Sequence, residues 1–299
     1  MSVVGLGPFF PVHARALEAG EPSRTAQGTA LHRAVHQLVD SPRVFDDPLA
    51  LAMLGARRAQ WLAGNLDRFE TPGERAMRAY LVARSRYAED RLAAAHARGV
   101  TQYLVLGAGL DTFAYRNPYG ERLRVFEVDH PATQSWKRTH LLKIGILSPR
   151  SLTFVPVDFE KDSLAARMSE AGFDRHAPVF ISWLGVTMYL TEPSVMKTLR
   201  LVARWCAPGS EIVFDFALPD ESLDEGERTL RAKRATRVAD LGEPWLSTFH
   251  SEALSADLAA VGFTEVRSVG ATEANEWYFS GRSDTLRFPG SGRLMTARG

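Results

Sequence analysis

Between residues 102 and 216 the chain alternates short, almost wholly apolar runs with amphipathic stretches. Runs at 102–106, 123–128, 152–157, 179–183 and 211–216 are rich in Val, Leu, Ile and Phe, and read as buried strands. Helical patterns lie between them. The clearest spans 192–207, with Val195, Leu199, Val202 and Cys206 on one face, Pro193 at its start and Pro208-Gly209 at its stop. Strands that alternate with helices predict an α/β fold, a mostly parallel sheet with helices on both faces. The tail adds strand-like runs at 264–269 and 293–297 around a polar and aromatic stretch.

The first hundred residues follow the helical period instead. Residues 23–64 read as short helices, with a turn at Arg43-Val44-Phe45-Asp46-Asp47-Pro48 and Pro48 opening a helix over 49–54. A long helix is predicted over 74–98, ended by Gly99. Its apolar stripe holds Met77, Leu81, Ala88, Leu92 and Ala95, and Arg84 completes the spacing of 3 and 4. Residues 219–248 are rich in charge and read as a solvated helical insertion, placed after a strand end as a lid would be. The expected organisation is one domain: a helical N-terminal cap over 1–99, a ligand-binding core over 100–218, a lid insertion over 219–250, and the rest of the core over 251–299.

Composition narrows the partners. With 36 basic and 35 acidic residues among 299 the formal net charge is +1, which offers no electrostatic case for nucleic acid. A single cysteine, Cys206, excludes an internal disulfide and a thiolate-cluster metal site, and no metal is expected. No stretch approaches the ~20 apolar residues of a membrane span, and the N-terminus lacks a signal-peptide pattern. The expected setting is cytoplasmic, without membrane contact. Oligomeric state is not legible.

Candidate chemistry gathers at strand ends. Gly107-Ala108-Gly109 follows the first strand, Asp129 the second, and Asp158-Phe159 the third. Ligands of open parallel sheets bind beyond the C-terminal strand ends. One nucleoside-like ligand could meet all three: Gly107 and Gly109 admit its close approach, Asp129 accepts from ribose, Asp158 accepts from an adenine amine, and Phe159 packs on the base. A dinucleotide loop needs a third glycine, where Thr112 stands, and Asp111 would repel a phosphate at the helix start. That favours a nucleoside without phosphates, S-adenosylmethionine being the common one, and leaves an NAD-linked oxidoreductase as a minor alternative. Arg84 in an apolar stripe calls for an anionic partner. The methionine carboxylate suits it, as would a salt bridge to another helix.

The run Gly107-Ala108-Gly109-Leu110-Asp111-Thr112-Phe113-Ala114-Tyr115-Arg116 resembles the glycine motif of the leucine carboxyl methyltransferase family, which includes bacterial proteins similar to polyketide O-methyltransferases. Asp129-His130-Pro131 with Lys137, Asp158-Phe159, and Trp183-Leu184-Gly185-Val186-Thr187-Met188-Tyr189-Leu190-Thr191 resemble its second-, third- and fourth-strand motifs. Ser23-Arg24-Thr25-Ala26, Phe45-Asp46-Asp47-Pro48-Leu49-Ala50 and Arg84-Ser85-Arg86 look familial too, so the resemblance spans roughly 23–297. It implies a Rossmann-like class I methyltransferase fold, with a seven-stranded sheet whose last strand is antiparallel. It implies cofactor contacts at Arg84, Gly107, Gly109, Asp129, Asp158 and Phe159, and an active-site tyrosine at Tyr189. Leu184 stands where the phosphatase-methylating members carry a glutamate, which points towards the small-molecule branch.

The expected function is methyl transfer from S-adenosylmethionine to a carboxylate or hydroxyl of a small molecule of secondary metabolism, a polyketide-like one being the case the resemblance suggests. A carboxylate acceptor is already ionised at neutral pH and needs no base. A hydroxyl is helped by one; His250, at the end of the lid, is the candidate, and its alternative is a helix-cap or surface histidine. Tyr189 would orient the acceptor or pack as core. Trp245, Phe249, Trp277, Tyr278 and Phe279 are candidates for an apolar acceptor pocket. A cofactor-binding protein without transfer activity is the alternative from another functional class.

Overall fold

The computed structural model describes residues 24–158 and 162–299. Helices α1 (Arg24–Val39), α2 (Ala50–Leu54), α3 (Ala56–Ala63) and α4 (Pro72–Ala97) precede the sheet. Then follow β1 (Gln102–Leu106), α5 (Phe113–Arg116), β2 (Arg124–Asp129), α6 (Pro131–Lys143), β3 (Leu152–Pro156), α7 (Leu164–Glu170) and β4 (Val179–Trp183). The second half holds α8 (Glu192–Trp205), β5 (Glu211–Ala217), α9 (Glu225–Asp240), α10 (Ser251–Val261), β6 (Glu265–Val269), α11 (Ala271–Tyr278) and β7 (Gly292–Arg298).

The sheet has seven strands in the order β3-β2-β1-β4-β5-β7-β6. The first five run parallel, while β7 is antiparallel to both β5 and β6. The chain steps outward from β1 to β3 and then returns to place β4 on the other side of β1. Connections diverge there, and the crevice at their C-terminal ends is where an open sheet receives a ligand.

Strand alternation divides the core into two layers. Tyr103 and Val105 of β1 face α4 and α11, packing with Tyr87, Leu92, Phe113 and Phe279. Leu104 and Leu106 face the other way, with Phe126, Met168, Leu199 and Leu258 on β2, α7, α8 and α10. A third cluster joins α1–α3 to Leu110 of the glycine loop and Leu141 of α6, so the cap rests directly on that loop. All five residues of β1 are buried, as are all five of β4. Their polar members are satisfied, Gln102 Nε2 donating to Asp174 O and Ser182 Oγ bonding Tyr103 OH, so both strands can lie buried on both faces.

Some boundaries move. The helix expected from Leu49 begins at Ala50, and Pro48 sits in the turn before it. Helix α4 starts two residues before Glu74, because the Thr71 hydroxyl caps it by accepting from Glu74 N at 3.4 Å. Helix α8 stops at Trp205; Cys206 is an extended, half-buried cap whose thiol burial pushes up to about 12. The 219–250 insertion holds a single 3-10 turn at Asp220–Ser222 and then α9, which has no buried residue. No helix among the described residues is long and apolar enough to cross a membrane.

Candidate active site

The glycine loop folds back onto β2, and Val128 O accepts from Gly107 N at 2.9 Å and Ala108 N at 3.1 Å. Asp129, at the end of β2, accepts from Gly109 N at 2.5 Å and from its neighbour His130 N at 2.6 Å. Burial raises its pKa, and those two N–H groups act against the rise. Gly107 has φ +69°, and a Cβ there would lie 2.5 Å from Val186 Cγ2. The loop is therefore clamped beneath the segment that follows β4, and only glycine fits the contact. A Cβ on Gly109 would approach Ala26 of α1 to 3.3 Å.

Asp111 has a structural task that also bears on the ligand. Its Oδ1 accepts from Phe113 N at 2.8 Å at the start of α5. Its Oδ2 lies 3.7 Å from Arg33, which also pairs with Asp47 and donates to Leu110 O at 2.6 Å. A carboxylate thus occupies the N-terminus of a helix only four residues long. A pyrophosphate would meet like charge and little dipole there. A neutral nucleoside meets neither obstacle.

Arg84 is buried in α4, and its partner is a strand rather than a helix. Its Nη1 donates to Asp215 of β5 at 2.7 Å. The same Oδ2 accepts from Tyr80 OH at 2.8 Å, and Oδ1 accepts from Gly185 N at 2.5 Å. Gly185 has φ +70°, and a Cβ on it would lie 2.8 Å from Arg84 Nη2. The guanidinium therefore lies directly over the turn after β4. Burial would lower its pKa, but Asp215 outweighs this and raises it. Burial pushes the Tyr80 phenol far up, with Asp215 adding to the rise.

Tyr189 ends a short 3-10 helix, Thr187–Tyr189, just beyond Gly185. Burial raises its pKa, and Trp245, Thr25 and Arg84 lie close enough to act against the rise. Trp245 belongs to the segment after α9, which is pinned to the 3-10 helix: Leu246 N donates to Met188 O at 2.7 Å, and Ser247 Oγ to Thr187 O at 2.9 Å. The Trp245 indole N–H lies within hydrogen-bonding reach of the phenol, and the Glu243 charge adds to the rise.

The corner thus brings together Gly107, Gly109 and Asp129, with Arg84 and Tyr189 across the turn after β4. Asp158 lies at the end of β3's extension, its N donating to Asp162 Oδ2 at 2.9 Å. Phe159 lies outside the described residues. His250 is not brought to the corner. It stands at the N-cap of α10 with 56% of its side chain exposed, its Nε2 3.2 Å from Glu221 and its Nδ1 3.5 Å from Ser222. An imidazole facing solvent and a surface carboxylate has no buried proton to take. The aromatic candidates also separate. Trp277 stacks on Tyr87, Tyr278 donates to Asp90, and Phe279 is core, so α11 packs against α4. Phe249 packs near Phe216, which leaves Trp245 beside Tyr189. Leu184 packs against the apolar core.

Sequence reasoning passed over Asp215, Tyr80 and Glu243. The available signal for Asp215 was a carboxylate inside the apolar run Ile212-Val213-Phe214-Asp215-Phe216, where every residue is buried.

The pattern of leucine carboxyl methyltransferase matches residues 26–203. A Bacillus subtilis protein named "Putative S-adenosyl-L-methionine-dependent methyltransferase YktD" is 31% identical over 293 residues, covering 90% of this chain and 95% of its own. A Mycolicibacterium paratuberculosis protein named for the same activity is 33% identical, over 73% of this chain and 70% of its own. Among solved structures, a Thermobifida fusca protein described as a methyltransferase superposes with a TM-score of 0.53 at 18% identity, over 93% of this chain and 95% of its own. That last likeness is one of fold.

Proposed function

The chain belongs to the leucine carboxyl methyltransferase family and is an S-adenosylmethionine-dependent methyltransferase, and from that premise we propose that it methylates an oxygen of a small polar acceptor. The corner suits this cofactor: it offers a carboxylate for ribose, a cation for a carboxylate, and no seat for phosphate. We assign the ribose hydroxyls to Asp129, the adenine amine to Asp158, and the methionine carboxylate to Arg84, with Gly107 and Gly109 admitting close approach. When bound, S-adenosylmethionine supplies a methyl group already activated on a sulfonium.

The chain's own contribution is then alignment and exclusion of water. The Tyr189 phenol, raised in pKa by burial, stays protonated through the neutral range and can donate to an acceptor oxygen. The observation that carries the reading is Trp245 Nε1. An indole N–H only donates, so within reach of the Tyr189 phenol it leaves the phenolic proton to be donated onward. An acceptor oxygen beside Tyr189 would accept from the phenol and share the indole N–H. A small acceptor is favoured because α9 closes over the start of α4: Arg234 Nη2 donates to Gly73 O at 2.7 Å, and Arg237 lies 3.6 Å from Glu74.

Labelled S-adenosylmethionine offered with a panel of small hydroxy and carboxylic acids tests the proposal. Alkali releases the label from a methyl ester and leaves it on a methyl ether, and either product supports oxygen transfer. Label found only on nitrogen, carbon or macromolecules would overturn it. For the acceptor so found, Trp245→Phe should raise KM about 5- to 10-fold, as loss of one neutral hydrogen bond would, and leave affinity for S-adenosylhomocysteine unchanged.

A further inference from the structure

Asp215 sits in the middle of the sheet with none of its surface exposed, in a strand otherwise apolar around it. A carboxylate there is tolerated only when its oxygens are satisfied. Three donors from two parts of the chain satisfy it: Arg84 Nη1 and Tyr80 OH of α4, and Gly185 N of the turn after β4. Its backbone oxygen accepts from Thr187 Oγ1 at 2.6 Å, which ties in the start of the 3-10 helix that carries Tyr189. Each tie runs to an element of the proposed cofactor corner.

We propose that Asp215 is a positioning residue for the amino-acid end of the cofactor, holding Arg84 flat over Gly185 so that its second terminal nitrogen faces a carboxylate. This rests on the assignment of Arg84 to the methionine carboxylate. One edge of the guanidinium is committed to Asp215, and Nη2 lies over the glycine, where any side chain would collide with it. A guanidinium delivers directional bonds only when its plane is fixed. A long side chain held at one end by a buried carboxylate, and flanked by the Tyr80 ring 5.7 Å from its Cζ, is so fixed. Tyr80 OH and Gly185 N share the carboxylate's charge, which reduces its repulsion of an incoming carboxylate.

Two ligands separate positioning from general support. S-adenosylhomocysteine carries the amino-acid group; 5′-methylthioadenosine has the same nucleoside and sulfur without it. Their dissociation constants are measured by calorimetry on the full-length protein and on Asp215→Asn, Arg84→Gln, the double variant and Tyr80→Phe. Asp215→Asn should weaken S-adenosylhomocysteine about 10- to 100-fold, as loss of a hydrogen bond to a charged group would. Methylthioadenosine should change less than about 2-fold, within the scatter of context effects. In the Arg84→Gln background the Asp215 substitution should add little, since its effect passes through Arg84. Equal weakening of both ligands, no weakening of either, or a full effect persisting without Arg84 would each overturn the proposal. Arg84→Gln weakening both ligands equally would instead overturn the assignment of Arg84. Should Asp215→Asn not fold, Tyr80→Phe carries the comparison: a selective loss of about 3- to 10-fold is expected, as for one hydrogen bond, and its absence counts against the proposal.

Discussion

Asp40 shows how much one side chain can organise. It follows α1, and its carboxylate accepts from His36 Nδ1 at 2.7 Å and from Arg78 Nε and Nη2 at 2.7 and 3.1 Å. His36 Nε2 accepts from Val44 N and Phe45 N, so the ring's proton is on Nδ1 and points at Asp40. Burial alone would raise the Asp40 pKa, but the bonds from His36 and Arg78 win and hold it below its ordinary value. Arg78 is fully buried, so removing its carboxylate leaves a guanidinium with Glu70 and the Phe69 carbonyl as its remaining partners. Asp40→Ala is expected to cost about 3–5 kcal/mol, the range for breaking a buried pair. Arg43→Ala, which removes an ion pair exposed by half or more on both sides, should cost under about 1 kcal/mol. Urea titration measures both, and an Asp40→Ala loss as small as that of Arg43→Ala would show that Glu70 and Phe69 suffice. The same long-range character hid Asp215 from the sequence. Nothing beside it announces donors that arrive from α4 and from the turn after β4. Gly107, Gly109 and Asp129 were legible because their roles follow from strand ends and local backbone. Arg84 was legible because a charge interrupted a helical stripe.

Helix α9 is the element whose pattern differs most from the rest. Its charged residues were read as a solvated insertion, and none of its sixteen residues is buried. It is held by Arg234 on Gly73 O, by Leu230 against Gly73, by Arg231 on Leu218 O and Asp220, and by Arg237 near Glu74. Few apolar contacts and many exposed hydrogen bonds mark a segment that opens without the rest unfolding. Amide exchange by mass spectrometry should find α9 at least about 100-fold less protected than the centre of α4, where Ala79, Val82, Ala88 and Leu92 are buried. Equal protection would make α9 part of the core and not a lid. The seven strands were placed from the sequence to within a residue or so; the five parallel ones are compact, mostly apolar runs, while β6 alternates and has only Val269 buried. Helix ends moved more, since caps such as Thr71 act through geometry that residue type only suggests. The 219–250 segment was only partly legible: its charge predicted α9, but the pinning of Leu246 and Ser247 to the 3-10 helix depends on tertiary contacts. His250 was drawn into the site by its place in that segment, and the same contacts leave it outside.

The whole molecule carries almost no net charge, yet ion pairs are buried inside it, and these couple its stability to pH. The pair Glu127–Lys137 joins β2 to α6 at 2.7 Å, with both side chains 1% exposed. Burial pushes Glu127 up to about 7; Lys137 acts against the rise, and Asp111 and Asp129 add to it. A carboxyl whose pKa is higher folded than unfolded binds more protons in the folded state between the two values. Its contribution is therefore full below its ordinary value near 4.5 and is lost as pH rises through about 7. Other groups pull the opposite way. Burial lowers the pKa of His32, although Glu74 lies 3.2 Å away. Its contribution is present above its ordinary value near 6.5 and is lost as pH falls through its lowered one. A single melting curve against pH mixes these terms, whereas a difference between variants isolates one. Replacing the pair by Glu127→Gln with Lys137→Met removes the Glu127 titration and leaves His32 as it was. The stability of the double variant relative to wild type should then rise from pH 5 and level off above about pH 7, because only the wild type must charge Glu127 in the interior. Urea midpoints at unit steps of pH measure that difference. A difference that stays flat would mean that Lys137 offsets the burial of Glu127 fully, so that β2 and α6 are joined by a pair indifferent to pH.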